Sequence, residues 1–128
     1  MKFLLDTHLL LWAAGQPESL SKPARELIEN PDNALYFSAA SIWEIAIKSS
    51  LGREDFRADS RLIRRGLIDN GYHEIPISSE HAAGVQSLPL VHKDPFDRLL
   101  IAQALSEGMP LVTVDPVLSH YPAMIQQV

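Results

Sequence analysis

Short apolar runs alternate with longer amphipathic stretches along the chain, and this alternation predicts strands separated by helices. The runs at 2–5, 35–37 and 111–114 are almost entirely apolar, which is typical of strands buried on both faces of a parallel sheet. A weaker strand pattern lies at 73–77, where Pro76 favours an edge position, and another at 124–127.

Between these strands, apolar residues recur at helical spacing and capping residues mark where each helix begins. The predicted helices run from Asp6 or Thr7 to Gly15, from Ser21 to Asn30, from Ser38 or Ser41 to Gly52, over 59–70, from Ser78 or Ser79 to Pro89, and over 95–107. In the helix over 59–70, Leu62, Ile63 and Leu67 are expected to face the core. Strands that alternate with helices imply right-handed crossovers, so the sequence predicts a three-layer α/β/α domain around a parallel sheet of four to five strands.

Composition agrees with this fold class and limits the domain organisation and the functions that the chain can have. The 128 residues are 46% hydrophobic, and because no repeat or flexible linker interrupts them, we expect one domain spanning 1–128. The net charge of −5 argues against broad electrostatic binding to nucleic acid. Without cysteine there is no disulfide or thiolate chemistry, which fits a reducing cytoplasm.

Asp6 and His8 interrupt the apolar N-terminus, so we interpret it as structure and not a signal peptide, and no run approaches a membrane span.

The helix over 95–107 begins with an unusual arrangement of acids. Asp94 can cap it and Pro95 supplies the dihedral of a first helical residue. Asp97 lies on the same stripe as Leu100 and Ile101, so its carboxylate is half turned toward the interior, where an unpaired charge is costly. It needs a partner, and a divalent cation would be one. Simple capping of the helix explains Asp97 equally well and is the favoured explanation for Asp94.

Other acids favour the cation. In a parallel sheet the carboxyl ends of the strands lie at one edge, where such folds bind ligands. Asp6 and Asp115 end strands, and Glu44 and Asp97 lie early in helices, so all four belong to that edge. Each has a purely structural alternative. Asp6 could cap a helix, Asp115 could start a turn, and Glu44 could close a capping box with Ser41 or pair with Lys48. Carboxylates without cysteine or clustered histidine favour Mg²⁺ or Mn²⁺, and metal-assisted phosphodiester hydrolysis uses such an arrangement.

These residues carry a family resemblance that spans nearly the whole chain. The segments 6–8, 38–45, 94–104 and 111–115 resemble the motifs of PIN-domain proteins, a Rossmann-like fold, and among them the VapC-type toxins of bacterial toxin–antitoxin pairs; the Asp-Pro-Phe-Asp-Arg sequence at 94–98 is a specific signature. The family's acids map onto Asp6, Glu44, Asp97 and Asp115. The resemblance implies a Mg²⁺- or Mn²⁺-dependent endoribonuclease with RNA as substrate, usually a homodimer, inhibited by a cognate VapB-like antitoxin.

Roles follow as a hypothesis. Asp6, Asp97 and Asp115 would hold the metal, directly or through water, and Glu44 would position the attacking water or help to deprotonate it. Further candidates near the site are Thr7 and Thr113, whose hydroxyls could orient a carboxylate or meet a phosphate, although backbone capping or strand propensity explains them equally well. Asp94 is expected to be structural. Arg98 could neutralise a substrate phosphate, although a solvated surface position is favoured.

Two other classes of protein gather acids at this edge. A phosphatase of the haloacid dehalogenase type would need an acid two residues after Asp6, where His8 stands, and a receiver domain would need paired acids early and a lysine at a late strand end. A non-catalytic binding module with the same fold is the remaining alternative, and the complete set of four acids argues against it.

Overall fold

A computed structural model describes all residues from Met1 to Val128 and contains one five-stranded sheet. Its strands are β1 (Lys2–Leu5), β2 (Ala34–Ser38), β3 (His73–Ile75), β4 (Leu111–Thr113) and β5 (Ile125–Gln127). The spatial order is β3-β2-β1-β4-β5, and every neighbouring pair is parallel. The predicted parallel sheet is confirmed, and the strand with the proline behind it is at an edge.

The helices are α1 (Thr7–Gly15), α2 (Lys22–Glu29), α3 (Ala39–Ser50), α4 (Ser60–Asp69), α5 (Ser79–Gly84) and α6 (Pro95–Glu107). Each begins where a side-chain oxygen accepts a hydrogen bond from a backbone N–H of the first turn; these capping residues are Asp6, Ser21, Ser38, Asp59, Ser78 and Asp94. Gly108, with φ of 65°, ends α6 in the left-handed conformation that glycine tolerates best. None of the helices combines the length and the apolar character needed to span a membrane.

Two hydrophobic cores lie on opposite faces of the sheet, because successive strand residues point in opposite directions. Leu4 packs with α6, while Phe3 and Leu5 pack with α1, α2 and α4. The result is the predicted three-layer architecture. The predicted inward orientation of Leu62 was wrong, since its side chain is 63% exposed. Leu62 precedes Ile63 by one position, and one helical position is a rotation of about 100°, which turns Leu62 away from the narrow apolar stripe of α4.

The position of β1 explains where a site can form. The chain extends the sheet from β1 through β2 and β3 in one direction, and through β4 and β5 in the other. Connections therefore diverge at β1 and β4, which leaves a crevice beyond their carboxyl ends. Asp6 directly follows β1, and Asp115 comes two residues after β4.

Candidate active site

A cavity of about 240 Å³ lies in this crevice and is lined mainly by polar side chains. Its lining includes all four acids of the motif set and two further candidates: Asp6, Thr7, Glu44, Asp94, Asp97 and Asp115. They follow the ends of two strands or lie in or just before the first two turns of three helices. The fold thus brings together carboxylates that are separated by up to 109 residues in sequence.

Asp6 and Asp115 are linked by a buried threonine below the cavity. The Thr113 hydroxyl donates to Asp6 Oδ2 at 2.6 Å and accepts from the Asp115 backbone N–H at 3.0 Å. Asp6 Oδ1 accepts from the Leu9 N–H in the first turn of α1 and so caps that helix. Burial raises the pKa of Asp6, while the hydrogen bonds from Thr113 and Leu9 act in the opposite direction. Asp6 therefore both caps a helix and faces the cavity, so its structural and chemical interpretations are compatible.

Glu44 is held on both carboxylate oxygens. The Thr7 hydroxyl donates to its Oε1 at 2.6 Å, and the Lys48 ammonium lies 2.5 Å from its Oε2. The Ser41 hydroxyl lies 3.0 Å from the Thr7 hydroxyl and completes a buried polar chain. The side chain of Glu44 is thus fixed before any ligand arrives.

Asp97 lies in the first turn of α6, where its carboxylate is crowded by charge. Burial, together with the nearby charges of Asp94 and Glu44, raises its pKa to about 7. His92 Nε2 lies 2.9 Å from Asp97 Oδ2 and counteracts the shift. From the sequence, His92 is the histidine nearest the motif, but we expect no catalytic role for it, because metal activation of water makes a general-base histidine unnecessary. Its contact with Asp97 was not predicted, because a loop residue five positions before a motif acid carries no periodic signal.

The donor set fits a hard divalent cation. Carboxylate oxygens are the ligands that Mg²⁺ and Mn²⁺ prefer, and buried acids with raised pKa values are those that gain most from a bound cation. In the structure, potential ligand atoms of His92, Asp94 and Asp97 lie within 4.8 Å of one another, and this group shares Asp97 with the predicted metal set. Asp94 also caps α6 through the Phe96 and Asp97 N–H groups, as expected.

Arg98 is buried, so the expectation of a solvated surface position is wrong, and it does not line the cavity. Its guanidinium is buried and donates to the backbone carbonyls of Val85 and Pro89, both at 3.0 Å. The residue follows Asp97 by one, which rotates it about 100° around the helix axis and away from the acids. These bonds tie the segment before α6 to the helix.

Two comparisons of the sequence with known proteins give matches over most of the chain. The family model described as PIN domain matches residues 3–124. The chain is 32% identical to "Ribonuclease VapC22" of Mycobacterium tuberculosis over 113 residues, which is 88% of this chain and 85% of that protein.

Solved structures share the fold. The structure of VapBC2 from Rickettsia felis bound to a promoter DNA fragment matches with a TM-score of 0.71 and 17% identity, over 99% of this chain and 98% of that one. VapBC-5 of Mycobacterium tuberculosis, described as a member of a family of toxin–antitoxin systems, matches with a TM-score of 0.66, 17% identity and the same coverage.

Proposed function

This chain belongs to the PIN-domain family, and from that premise we propose that it is a metal-dependent endoribonuclease, the toxin of a VapBC-type toxin–antitoxin pair. The observation that carries the proposal is the gathering of Asp6, Glu44, Asp97 and Asp115 around one cavity. The 32% identity to a named ribonuclease supports RNA as the substrate. Residues 1–128 would form one nuclease domain, and the absence of cysteine suits a cytoplasmic site of action.

The reaction is hydrolysis of a phosphodiester bond: a water oxygen forms a new bond to phosphorus and the bond to the leaving ribose oxygen breaks. Asp6, Asp97 and Asp115 would hold Mg²⁺ or Mn²⁺. When bound, the ion would supply Lewis-acid chemistry that activates water and stabilises charge on the phosphate oxygens.

The remaining roles belong to the protein's own residues. Glu44, fixed between Thr7 and Lys48, orients the attacking water and accepts its proton. Thr113 holds Asp6 toward the cavity through its hydroxyl, and Thr7 does the same for Glu44. Asp94 keeps the first turn of α6 in place, which fixes the direction of Asp97.

Cleavage of a mixed, structured RNA pool tests the proposal. The purified protein is assayed with Mg²⁺, with Mn²⁺ and with EDTA, beside Asp97→Asn. We expect cutting that requires the metal and falls by at least about a hundredfold in the variant, since a lost ligand removes transition-state stabilisation of several kcal/mol.

The control is Asp69→Asn, which changes an exposed aspartate on α4 and should cut as the wild type does. Circular dichroism establishes that each variant is folded. Undiminished, metal-dependent cutting by folded Asp97→Asn would remove Asp97 from the site.

A cognate VapB-like antitoxin and a homodimer complete the proposed assembly. The structural relatives named VapBC support the antitoxin. Light scattering on the purified chain measures whether it is a dimer before any antitoxin is added.

A further inference from the structure

Lys48 occupies an unusual place for a lysine, because its charged group lies among the carboxylates of the cavity. Its Nζ is 2.5 Å from Glu44 Oε2 and 3.8 Å from Asp94 Oδ2, and its side chain is only 14% exposed. The other basic side chain of the lining, Arg53, is half exposed and paired with Asp55. Lys48 is therefore the cation of lysine or arginine type that faces the acids.

Two aromatic rings fix the ammonium where it lies. Its Nζ is 4.7 Å from the centre of the Phe56 ring and 5.5 Å from that of Phe96. Phe56 is itself fully buried, and its carbonyl accepts a hydrogen bond from the Ser49 hydroxyl on the helix that carries Lys48. Attraction between a cation and the ring faces, strengthened by exclusion of water, holds Lys48 toward the acids instead of solvent.

A second lysine–glutamate pair in this chain has the same spacing and is an ordinary exposed ion pair on a helix. Lys22 and Glu26 are also four residues apart, but their charged atoms are 4.0 Å apart and their side chains are 88% and 68% exposed. A pair of that kind contributes little, because water and salt screen it. In the Glu44–Lys48 pair both side chains are largely removed from water and held by further contacts, so solvent screens their charges less than those of the exposed pair.

We propose that Lys48 is a positioning residue of the active site: its ammonium fixes Glu44 toward the cavity and offsets part of the negative charge that would otherwise separate the acids. The inference rests on the proposed metal-dependent hydrolysis. Two effects of opposite sign follow from it. Without the ammonium, Glu44 loses one of its two anchors and cleavage slows, whereas the cavity becomes more negative and binds a divalent cation more tightly.

The test compares Lys48→Met, Lys48→Arg and the control Lys22→Met. The affinity for Mn²⁺ is measured by calorimetry, without RNA, and the cleavage rate is measured at saturating Mn²⁺. For Lys48→Met we expect cleavage about tenfold slower and a dissociation constant for Mn²⁺ about three- to tenfold lower, as loss of a nearby unit charge predicts. Lys48→Arg keeps the charge and should bind Mn²⁺ like the wild type, and Lys22→Met should match the wild type in both measurements.

A second comparison decides whether Lys48 acts through Glu44. If it does, the double variant Lys48→Met/Glu44→Gln cleaves as slowly as Glu44→Gln alone; multiplied losses would overturn the positioning role. An Mn²⁺ affinity that is unchanged or weaker in folded Lys48→Met would overturn the charge role. A wild-type protein that binds Mn²⁺ but cuts no RNA would overturn the proposed function and the positioning role with it, while the Mn²⁺ comparison would still decide the charge role.

Discussion

At the scale of single residues, hydroxyl groups determine how the acids of this site are held. Thr113 donates to Asp6 and accepts from the Asp115 backbone, so one side chain connects two of the proposed metal ligands. Thr7 plays the equivalent part for Glu44. Both threonines are buried, so water cannot replace either hydroxyl easily.

Thr113→Val keeps the shape of the side chain and removes its hydrogen bonds. Asp6 Oδ2 then lacks its side-chain donor, and we expect a loss of about 1–3 kcal/mol in the free energy of unfolding, with cleavage reduced about tenfold or more. Urea unfolding and the RNA assay measure the two effects. Thr113→Ser, which retains the hydroxyl, serves as the control, and equal stability of the valine variant would contradict a role for this bond.

The raised pKa of Asp97 makes stability without metal depend on pH. A carboxyl whose pKa rises from 3.8 to about 7 on folding binds more protons in the folded state between those values. Stability therefore falls as pH rises through that window, by on the order of 2–4 kcal/mol in total for this group.

Unfolding in urea at pH 5 and pH 7.5, with EDTA, measures this dependence. We expect Asp97→Asn to lose the part of the decline that belongs to Asp97 and to exceed the wild type in stability at pH 7.5. Parallel pH profiles for the two proteins would show that Asp97 ionises normally.

At the scale of elements, the sequence predicted the structural features that depend on residues close in sequence, such as helix starts, and did not predict contacts between segments that are distant in sequence. Helix starts at Ser21 and Asp94 could be located because a cap acts within one turn. The buried direction of Arg98 and the contact of His92 with Asp97 could not, because both depend on how the segment before α6 folds back on that helix. The placement of Asp6 and Asp115 beside one cavity could be predicted, because strand ends in a parallel sheet share one edge.

The segment over 85–92 is connected to α6 by the side chain of Arg98. Arg98 donates to the carbonyls of Val85 and Pro89. The Tyr121 hydroxyl, which lies 3.4 Å from the Arg98 guanidinium, accepts from the His92 N–H. Arg98→Met removes both of these hydrogen bonds and leaves each carbonyl with only its backbone donor, the Leu88 or the Val91 N–H, so we expect it to reduce the free energy of unfolding by about 1–3 kcal/mol.

Arg61→Met, on the exposed face of α4, is the matched control and should change stability by less than about 0.5 kcal/mol. Hydrogen exchange should show faster opening of residues 85–92 in the Arg98 variant. Exchange confined to other regions would argue that the arginine does not hold this segment.

At the scale of the whole molecule, the site connects parts of the chain that are far apart in sequence. Asp6 follows the first strand and Asp115 follows the fourth, while Glu44 and Asp97 belong to different helices. The protein stabilises this concentration of negative charge through packing on both faces of the sheet. A cation bound among these acids therefore connects segments that unfold together, and its binding energy adds to the stability of the entire fold.

Mg²⁺ or Mn²⁺ should therefore raise the melting temperature of the wild-type protein. At a metal concentration about one hundred times the dissociation constant, the folded state gains about 2.7 kcal/mol, which for a chain of this size is a shift of about 8–12 °C. Asp6→Asn and Asp97→Asn each remove a proposed ligand and should lose most of the shift, whereas Asp69→Asn should retain it. Calorimetry with each metal and with EDTA measures the effect. An equal shift in all four proteins would mean that the ion binds elsewhere on the surface, because only a site made by these acids links their loss to the loss of stabilisation.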